Sequence, residues 1–501
     1  MIHKKPKREA FKEAAKATAL SAAKSLSKKL TPQKGSGLGK RRRPANKKTA
    51  AKKKRGQKSS PNKRRRRTTK KRKGKATETD IFASPPIQTS IGQSQLVDYR
   101  PINAITANNP VTFFIPGNEE ELLDPTFYLK CIFRLKSTTG TKLSPSTKLA
   151  TINMFGHTMW KDVTVKLGDK VISSATENYA YRAYLERLLN FGRDAKESQL
   201  TTEMYYKDSA GKFNMCEEGN SGFRMRQFLC STGRPVAMLT RLSTDISNQP
   251  RLLPNNIDIT ITLHQCSDNF RLLYANDESG GEYAVEIVDL LLYCRRVRLT
   301  PPMALAMAQT LRLRPAQYPI SRVLVKTFQV SAGTTLINRE SLSLGTLPRM
   351  AIVGVLDSLS YTGQTEKNPF NFLSKGCSFV CLYRDSDPVP SIAYTPNWAT
   401  SDVVREYLSL FHASGMLGAN TGNNISLIDY MNGGYVLYAF DLTPDDAGCC
   451  SHTSASRQGS LTLKMQFSPN EIDAPCTILV YLVYDNTIWI DQHRNVLTDF
   501  S

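Results

Sequence analysis

Apolar and polar residues alternate with a period of two along several short stretches of this chain. Ile257, Ile259, Ile261 and Leu263 are separated by Asp258, Thr260 and Thr262, the pattern of a strand with one face in a core and one in solvent. The same alternation runs through Phe127, Leu129, Cys131, Phe133 and Leu135, and through Val163, Val165 and Leu167. It returns in Leu461, Leu463, Met465 and Phe467, which share one face. Denser apolar runs at 283–297, 323–330, 350–356, 379–383, 435–440 and 477–490 read as further strands.

A helical period appears twice. After the strand at 163–167, Gly168-Asp169 marks a turn and Val171-Ile172 starts the return. Ser174 and Glu177 have the spacing of a capping box. Tyr181, Tyr184, Leu185, Leu188 and Leu189 then fall on one helical face, which we expect to pack on the first sheet unit, with Asn190 and Gly192 as the stop. Some two hundred residues later a strand at 379–383 precedes a second helix. Val404, Tyr407, Leu408 and Phe411 form its expected apolar face, and Gly415 ends it.

Many short strands, few helices and turn signals between them predict an all-β fold of tandem β-sandwiches or jelly rolls. Some 400 residues exceed one sandwich, so two are expected, each with a side helix. The expected division is a disordered basic arm at 1–75, a first jelly roll at 76–297, a linker at 298–318 and a second jelly roll at 319–501. Within it, 76–100 reads as a polar lead-in, 195–250 as a long excursion with few strand signals, and 277–281 as a turn.

Charge separates the arm from the rest. Residues 1–75 hold 31 of the 68 lysines and arginines and 2 of the 43 acidic residues, a net +29; the other 426 residues carry −4. With Phe11 as its only aromatic residue, the arm has no core to bury and is expected to be disordered when free. Phe11, Ala15, Ala19, Ala22, Leu26 and Leu30 recur near helical spacing, a weak basic amphipathic helix suited to nucleic acid or a membrane surface. Beyond it stand the clusters Arg41-Arg42-Arg43, Lys52-Lys53-Lys54-Arg55, Lys63-Arg64-Arg65-Arg66-Arg67 and Lys70-Lys71-Arg72-Lys73. They fit phosphate-backbone contacts with double-stranded DNA, and recognition by the nuclear import machinery.

The chemistry of sites adds little. No run of 18 apolar residues and no secretory signal is present, so a body that does not span a membrane and matures in a reducing compartment is expected. Of ten cysteines, Cys131, Cys294, Cys377, Cys381 and Cys476 sit in or beside strand-like runs and read as core thiols, and no obligatory disulfide is expected. Cys377 with Cys381, and Cys449 with His452, have spacings that zinc sites also use, but nothing brings the pairs together, so no metal and no cofactor is expected. The histidines are scattered, and no G-x-S-x-G, H-E-x-x-H or P-loop string occurs. Asp445-Asp446-Ala447-Gly448 lacks the later ligands of a calcium loop. No enzyme is expected.

Several strings are specific in order and spacing. Residues 177–186, Glu-Asn-Tyr-Ala-Tyr-Arg-Ala-Tyr-Leu-Glu, followed by Leu188-Leu189-Asn190-Phe191-Gly192, resemble the YPYRAY-E-LL-G signature of the hexon-like proteins of Polintons (Mavericks) and adintoviruses, with Ala180 where that signature has proline. Residues 366–372, 438–444, 484–486 and 494–499 resemble the same family, and the related capsid proteins of adomaviruses are an equal match. The resemblance implies a double jelly-roll major capsid protein. It implies homotrimers that meet neighbouring capsomers and penton or minor capsid proteins in an icosahedral virion, with assembly in the host nucleus. The long arm departs from the family pattern and points to non-specific binding of the DNA genome. A minor or vertex capsid protein and a cellular nucleic-acid-binding protein with a β-sandwich body are the alternatives.

Overall fold

The computed structural model describes residues 87–500 apart from 107–108, 141, 174–177, 276–281 and 450–451. The basic arm, the Ser174/Glu177 pair and the 277–281 turn therefore lie outside the described residues.

The first half contains strands β1 (Ile91–Tyr99), β2 (Val111–Ile115), β3 (Glu121–Leu123), β4 (Tyr128–Ser137), β5 (Leu149–Thr151), β6 (Trp160–Leu167), β7 (Lys170–Val171), β8 (Val236–Arg241), β9 (Ile259–Gln265), β10 (Leu272–Tyr274) and β11 (Tyr283–Leu299). The second contains β12 (Ala316–Val330), β13 (Leu336–Thr346), β14 (Met350–Asp357), β15 (Cys377–Arg384), β16 (Asp387–Tyr394), β17 (Leu437–Asp441), β18 (Gln458–Phe467), β19 (Cys476–Ile490) and β20 (Val496–Thr498).

The sheet orders carry the fold. One sheet of the first half runs β1-β11-β4-β8, and another runs β2-β9-β6-β7. In the second half the orders are β12-β19-β14-β17 and β13-β18-β15-β16. Setting aside the short strands β3, β5, β10 and β20 and renumbering each set of eight from one, both halves read 1-8-3-6 and 2-7-4-5. All of these pairings are antiparallel. Two four-stranded sheets wrapped in this order are the eight-stranded, double Greek-key arrangement of a jelly roll, present twice. In both halves the principal helix follows the fifth strand: the core helix Tyr179–Asn190 after β7, and the side helix Val404–Ala413 after β16.

Strands with a clear period-two pattern lie where that pattern requires. Leu461, Leu463, Met465 and Phe467 of β18, and Ile259, Ile261 and Leu263 of β9, are all buried. Several expectations need correction. The polar lead-in contains β1, which pairs with β11 along most of its length. Its side chains are largely exposed, so no core-facing period marks it. The 195–250 excursion contains β8. The expected linker is mostly the connecting helix Pro301–Leu313, which starts with proline in its first turn, where the missing N–H costs nothing.

The two sandwiches interlock. β12 and β19 form a fifteen-residue ladder from Ala316↔Ile490 to Val330↔Cys476. Its near end, with Tyr318, Ile320, Ile488 and Ile490, packs into the core of the first sandwich. The core helix contributes in the opposite direction: Tyr181, Tyr184, Leu185, Leu188 and Leu189 belong to the core of the second sandwich. This corrects the expectation that this face packs on the first.

Candidate functional site

The core helix joins the halves and is buried from Tyr179 to Leu189. Its N-cap is Asn178, which makes no side-chain capping bond. The apolar side meets aromatic rings of the second sandwich. Tyr184 stacks on Phe370 with centroids 4.1 Å apart, and Tyr181 meets Phe370 edge-on at 5.3 Å and stacks on Tyr361 at 5.6 Å. Ring pairs at such separations add to the burial of their area. Two of the strings that carry the resemblance, in their described residues 178–192 and 366–372, thus meet at the joint between sandwiches.

The helix also carries three charged side chains, Arg182, Glu186 and Arg187, and each is paired. Arg182 bonds Glu186 one turn on (3.0 Å) and forms an ion pair with Asp245 (2.7 Å). Asp245 also accepts from the backbone N–H of Val323 at the start of the second sandwich (3.2 Å). The guanidinium of Arg187 donates to Glu203 through Nε (3.1 Å) and Nη2 (3.4 Å), and to the Arg241 carbonyl (2.9 Å). Glu203 accepts further from the Arg241 N–H (3.2 Å) and from His157 Nε2 (3.1 Å). His157 Nδ1 lies 3.0 Å from the Tyr179 hydroxyl, which accepts from the Ser243 N–H (3.1 Å).

This arrangement fixes the protons. Glu203 is acceptor-only when ionised, so Nε2 of His157 must carry hydrogen, and the Tyr179 O–H then donates to a neutral Nδ1. Complete burial pushes His157 below the usual imidazole range, although Glu203 opposes this. Burial alone would raise Glu203; the adjacent His157 and Arg187 outweigh it and hold its carboxyl at about 2. A group with such partners can resemble an acid–base centre. Here His157 and Glu203 are buried among protein partners, and their bonds connect the core helix to β8 and to the short helix at 155–158.

The excursion forms a second clamp. Arg226, fully buried, donates to the Thr151 carbonyl (2.8 Å), the Tyr206 carbonyl (2.8 Å) and Asp208 (2.7 Å). Asp208 in turn receives Asn368 of the second half at 3.3 Å, and its carbonyl receives the Tyr435 hydroxyl at 2.7 Å. Lys196 donates to the Leu188 carbonyl, in the last turn of the core helix, at 2.7 Å and to the Asn423 carbonyl at 2.5 Å. Its burial, with Lys207 nearby, depresses the amine to about 7. Phe213 reaches across to Tyr435 at 5.0 Å, and its ring occupies the place where a Cβ at Gly434, φ 92°, would stand.

The expected basic contacts, Arg41 through Lys73, all lie outside the described residues. The side helix is turned from its expected orientation. Glu406, Ser409, Leu410 and Ala413 are buried, Tyr407 and Phe411 are partly covered, and Val404 and Leu408 are exposed. Small Ser409 and Ala413 let the helix approach β17, where the Ser409 hydroxyl accepts from the Ala439 N–H (3.3 Å). Among the described residues no cluster of His, Cys, Asp and Glu could hold a metal. Cys377 and Cys381 are buried in β15, and His452 lies 2.8 Å from Asp445 instead. No described helix is long and apolar enough to cross a membrane. The buried ionic joint was missed because its acids, Glu203 and Asp245, stand in a stretch without periodicity.

Comparison with known proteins agrees with the topology. No protein-family model matches the chain. An uncharacterized protein of Caenorhabditis elegans, F54H12.2, is 25% identical over 428 residues, covering 83% of this chain and 99% of that protein. Among solved structures, the Sputnik virophage structure superposes with a TM-score of 0.60 at 11% identity, over 85% of this chain and 91% of that one. The capsid of the virus PBCV-1 gives 0.55 at 9% identity, over 84% and 99%. The mavirus major capsid protein gives 0.54 at 12% identity, over 85% and 93%. At such identities these matches establish the fold, a double jelly roll, and the connectivity of the two sandwiches gives the same result independently.

Proposed function

We infer that this chain is the major capsid subunit of a virus or viral element, of the hexon-like type found in Polintons and adintoviruses, and a structural protein rather than an enzyme. The observation that carries this reading is the repetition of one eight-strand connectivity in two sandwiches locked into one body. Three such chains around a closed threefold axis present six similar sandwiches, which fill a sixfold-like lattice position that a single sandwich could not. The solved proteins of like fold include a virophage, a large-virus capsid and the mavirus major capsid protein. Residues 76–297 and 319–501 would be the two lattice-filling domains.

The arm completes the proposal. Its 31 cations, without interleaved aromatics, suit phosphate neutralisation and not base readout. It binds the double-stranded genome on the inner side of the shell, and its clusters serve nuclear import before assembly. If about ten of its cations engage duplex phosphates, log K falls with log salt with a slope of roughly −9. The body, at −4, contributes little. Filter binding across salt, on the full chain and on a chain lacking 1–75, tests this: the full chain should show the steep slope and the shortened chain should lose binding while keeping its oligomeric mass. Equal binding by the two would remove the arm from this role.

A further inference from the structure

The connecting helix Pro301–Leu313 lies between β11 and β12, and Leu311 is its only buried residue. A helix in water normally turns polar side chains outward. This one carries Met303, Leu305, Met307, Leu311, Leu313 and three alanines, with Gln309, Thr310 and Arg312 as its polar residues. Leu305 is 62% exposed and Leu313 87%. Neither sandwich covers this apolar surface.

Its charges have one sign. No aspartate or glutamate occurs between Leu290 and Arg339. Arg312 and Arg314 are exposed and make no ion pair among the described residues. The start of the described chain lies beside the first turn of the helix: Thr300 donates from its N–H to the Ser90 carbonyl (3.0 Å) and from its hydroxyl to the Thr89 carbonyl (3.1 Å).

Exposed Met and Leu side chains combined with unpaired cations fit one class of partner. A nucleic acid would engage the arginines and leave the leucines in water. A lipid surface with anionic headgroups takes both, since apolar side chains enter the acyl boundary while basic ones remain among the phosphates, and the polybasic segment 1–75 of the same chain offers a second attachment. We propose that the connecting helix docks this protein on an anionic membrane surface, with Leu305 and Leu313 inserted and Arg312 and Arg314 at the headgroups. This goes beyond the capsid reading and does not depend on it.

The test is flotation of the full chain with mixed phosphatidylcholine–phosphatidylserine vesicles and with phosphatidylcholine alone, at low and high salt. The arm's attraction is screened by salt, whereas insertion of leucines is not. The parent should float with the anionic vesicles and retain part of that binding in high salt. The double variant Leu305→Glu/Leu313→Glu should bind about tenfold more weakly or less, and Leu305→Trp should bind more tightly. Both sites are exposed, so folding should be unchanged, and DNA binding and oligomeric mass should stay at parental values. The proposal is overturned if the parent ignores anionic vesicles or if the double variant floats like the parent. It is also overturned if the substitutions change the oligomeric mass, which would make the helix a contact between copies.

Discussion

Replacing Glu203 with alanine should destabilise the joint between sandwiches more than most single substitutions. The carboxylate accepts from Arg187 Nε at 3.1 Å and Nη2 at 3.4 Å, from His157 Nε2 at 3.1 Å and from the Arg241 N–H at 3.2 Å. Glu203 is 5% exposed, and Arg187 and His157 are 6% and 0% exposed, so water cannot replace the lost acceptor. Removing one member of such a set leaves a buried charge without compensation, which costs about 3–5 kcal/mol. Glu203→Gln retains one acceptor oxygen but turns an amide N–H₂ toward donors, and should lose roughly 1–3 kcal/mol. The double variant Glu203→Leu/Arg187→Met removes both charges and should be less damaging than Glu203→Ala alone. Urea unfolding can be followed by tryptophan fluorescence, because Trp160 reports on the first sandwich and Trp398 on the second. The pair also titrates. Glu203 is held at about 2, below its unfolded value, so its contribution is present above the unfolded pKa and is lost as pH falls from about 4.5 toward 2. That window is worth on the order of 3 kcal/mol. His157 is also depressed, so the unfolded chain binds its proton first and acid works in the same direction. Glu203→Gln should flatten the lower part of this profile. If Glu203→Ala unfolds within about 0.5 kcal/mol of the parent, the ionic joint does not hold the sandwiches as described.

Two further perturbations address the same joint. Leu188→Ala should cost about 2–5 kcal/mol in a urea titration, with the loss felt by the second sandwich, whose core Leu188 enters; a parental midpoint would mean that this face of the helix is dispensable. Lys196 is held at about 7 by burial, so between that value and about 10.5 the unfolded chain binds more protons and stability rises with pH. The rise from pH 7 to pH 9 should be roughly 2 kcal/mol and should vanish in Lys196→Met, whereas equal pH profiles for the two proteins would refute it.

Strands were legible where one face met a core and the other met water, as in β4, β9 and β18. Strands β1, β13 and β16 were not, and the shorter β2, β3, β5, β8, β10 and β20 were passed over as well. β1 and β16 expose most of their side chains. In β13 the two ends lie largely in the open and the pairing with β18 shifts register between Arg339 and Ser343. None of β1, β13 and β16 shows a sustained core-facing alternation. The core helix was legible as an amphipathic helix, but periodicity identifies a face and not what it faces: Tyr184 lies on Phe370, far away in sequence. Nothing local to the charged residues of this helix indicates that Asp245 and Glu203 will pair with them. The side helix was misread because Ser409 and Ala413, chosen for close approach to β17, look less apolar than the exposed Val404 and Leu408. The connecting helix lay inside the expected linker, and Pro301-Pro302 stands at its start, where proline is favoured.

We propose that two like sandwiches in one chain build a threefold capsomer that imitates sixfold symmetry. Electron microscopy of the purified full chain tests it most directly, through the class averages viewed down the symmetry axis. The account predicts trimers with six lobes of similar size, alternating between first and second sandwiches. A uniform population of two-lobed monomers at micromolar concentration would contradict it.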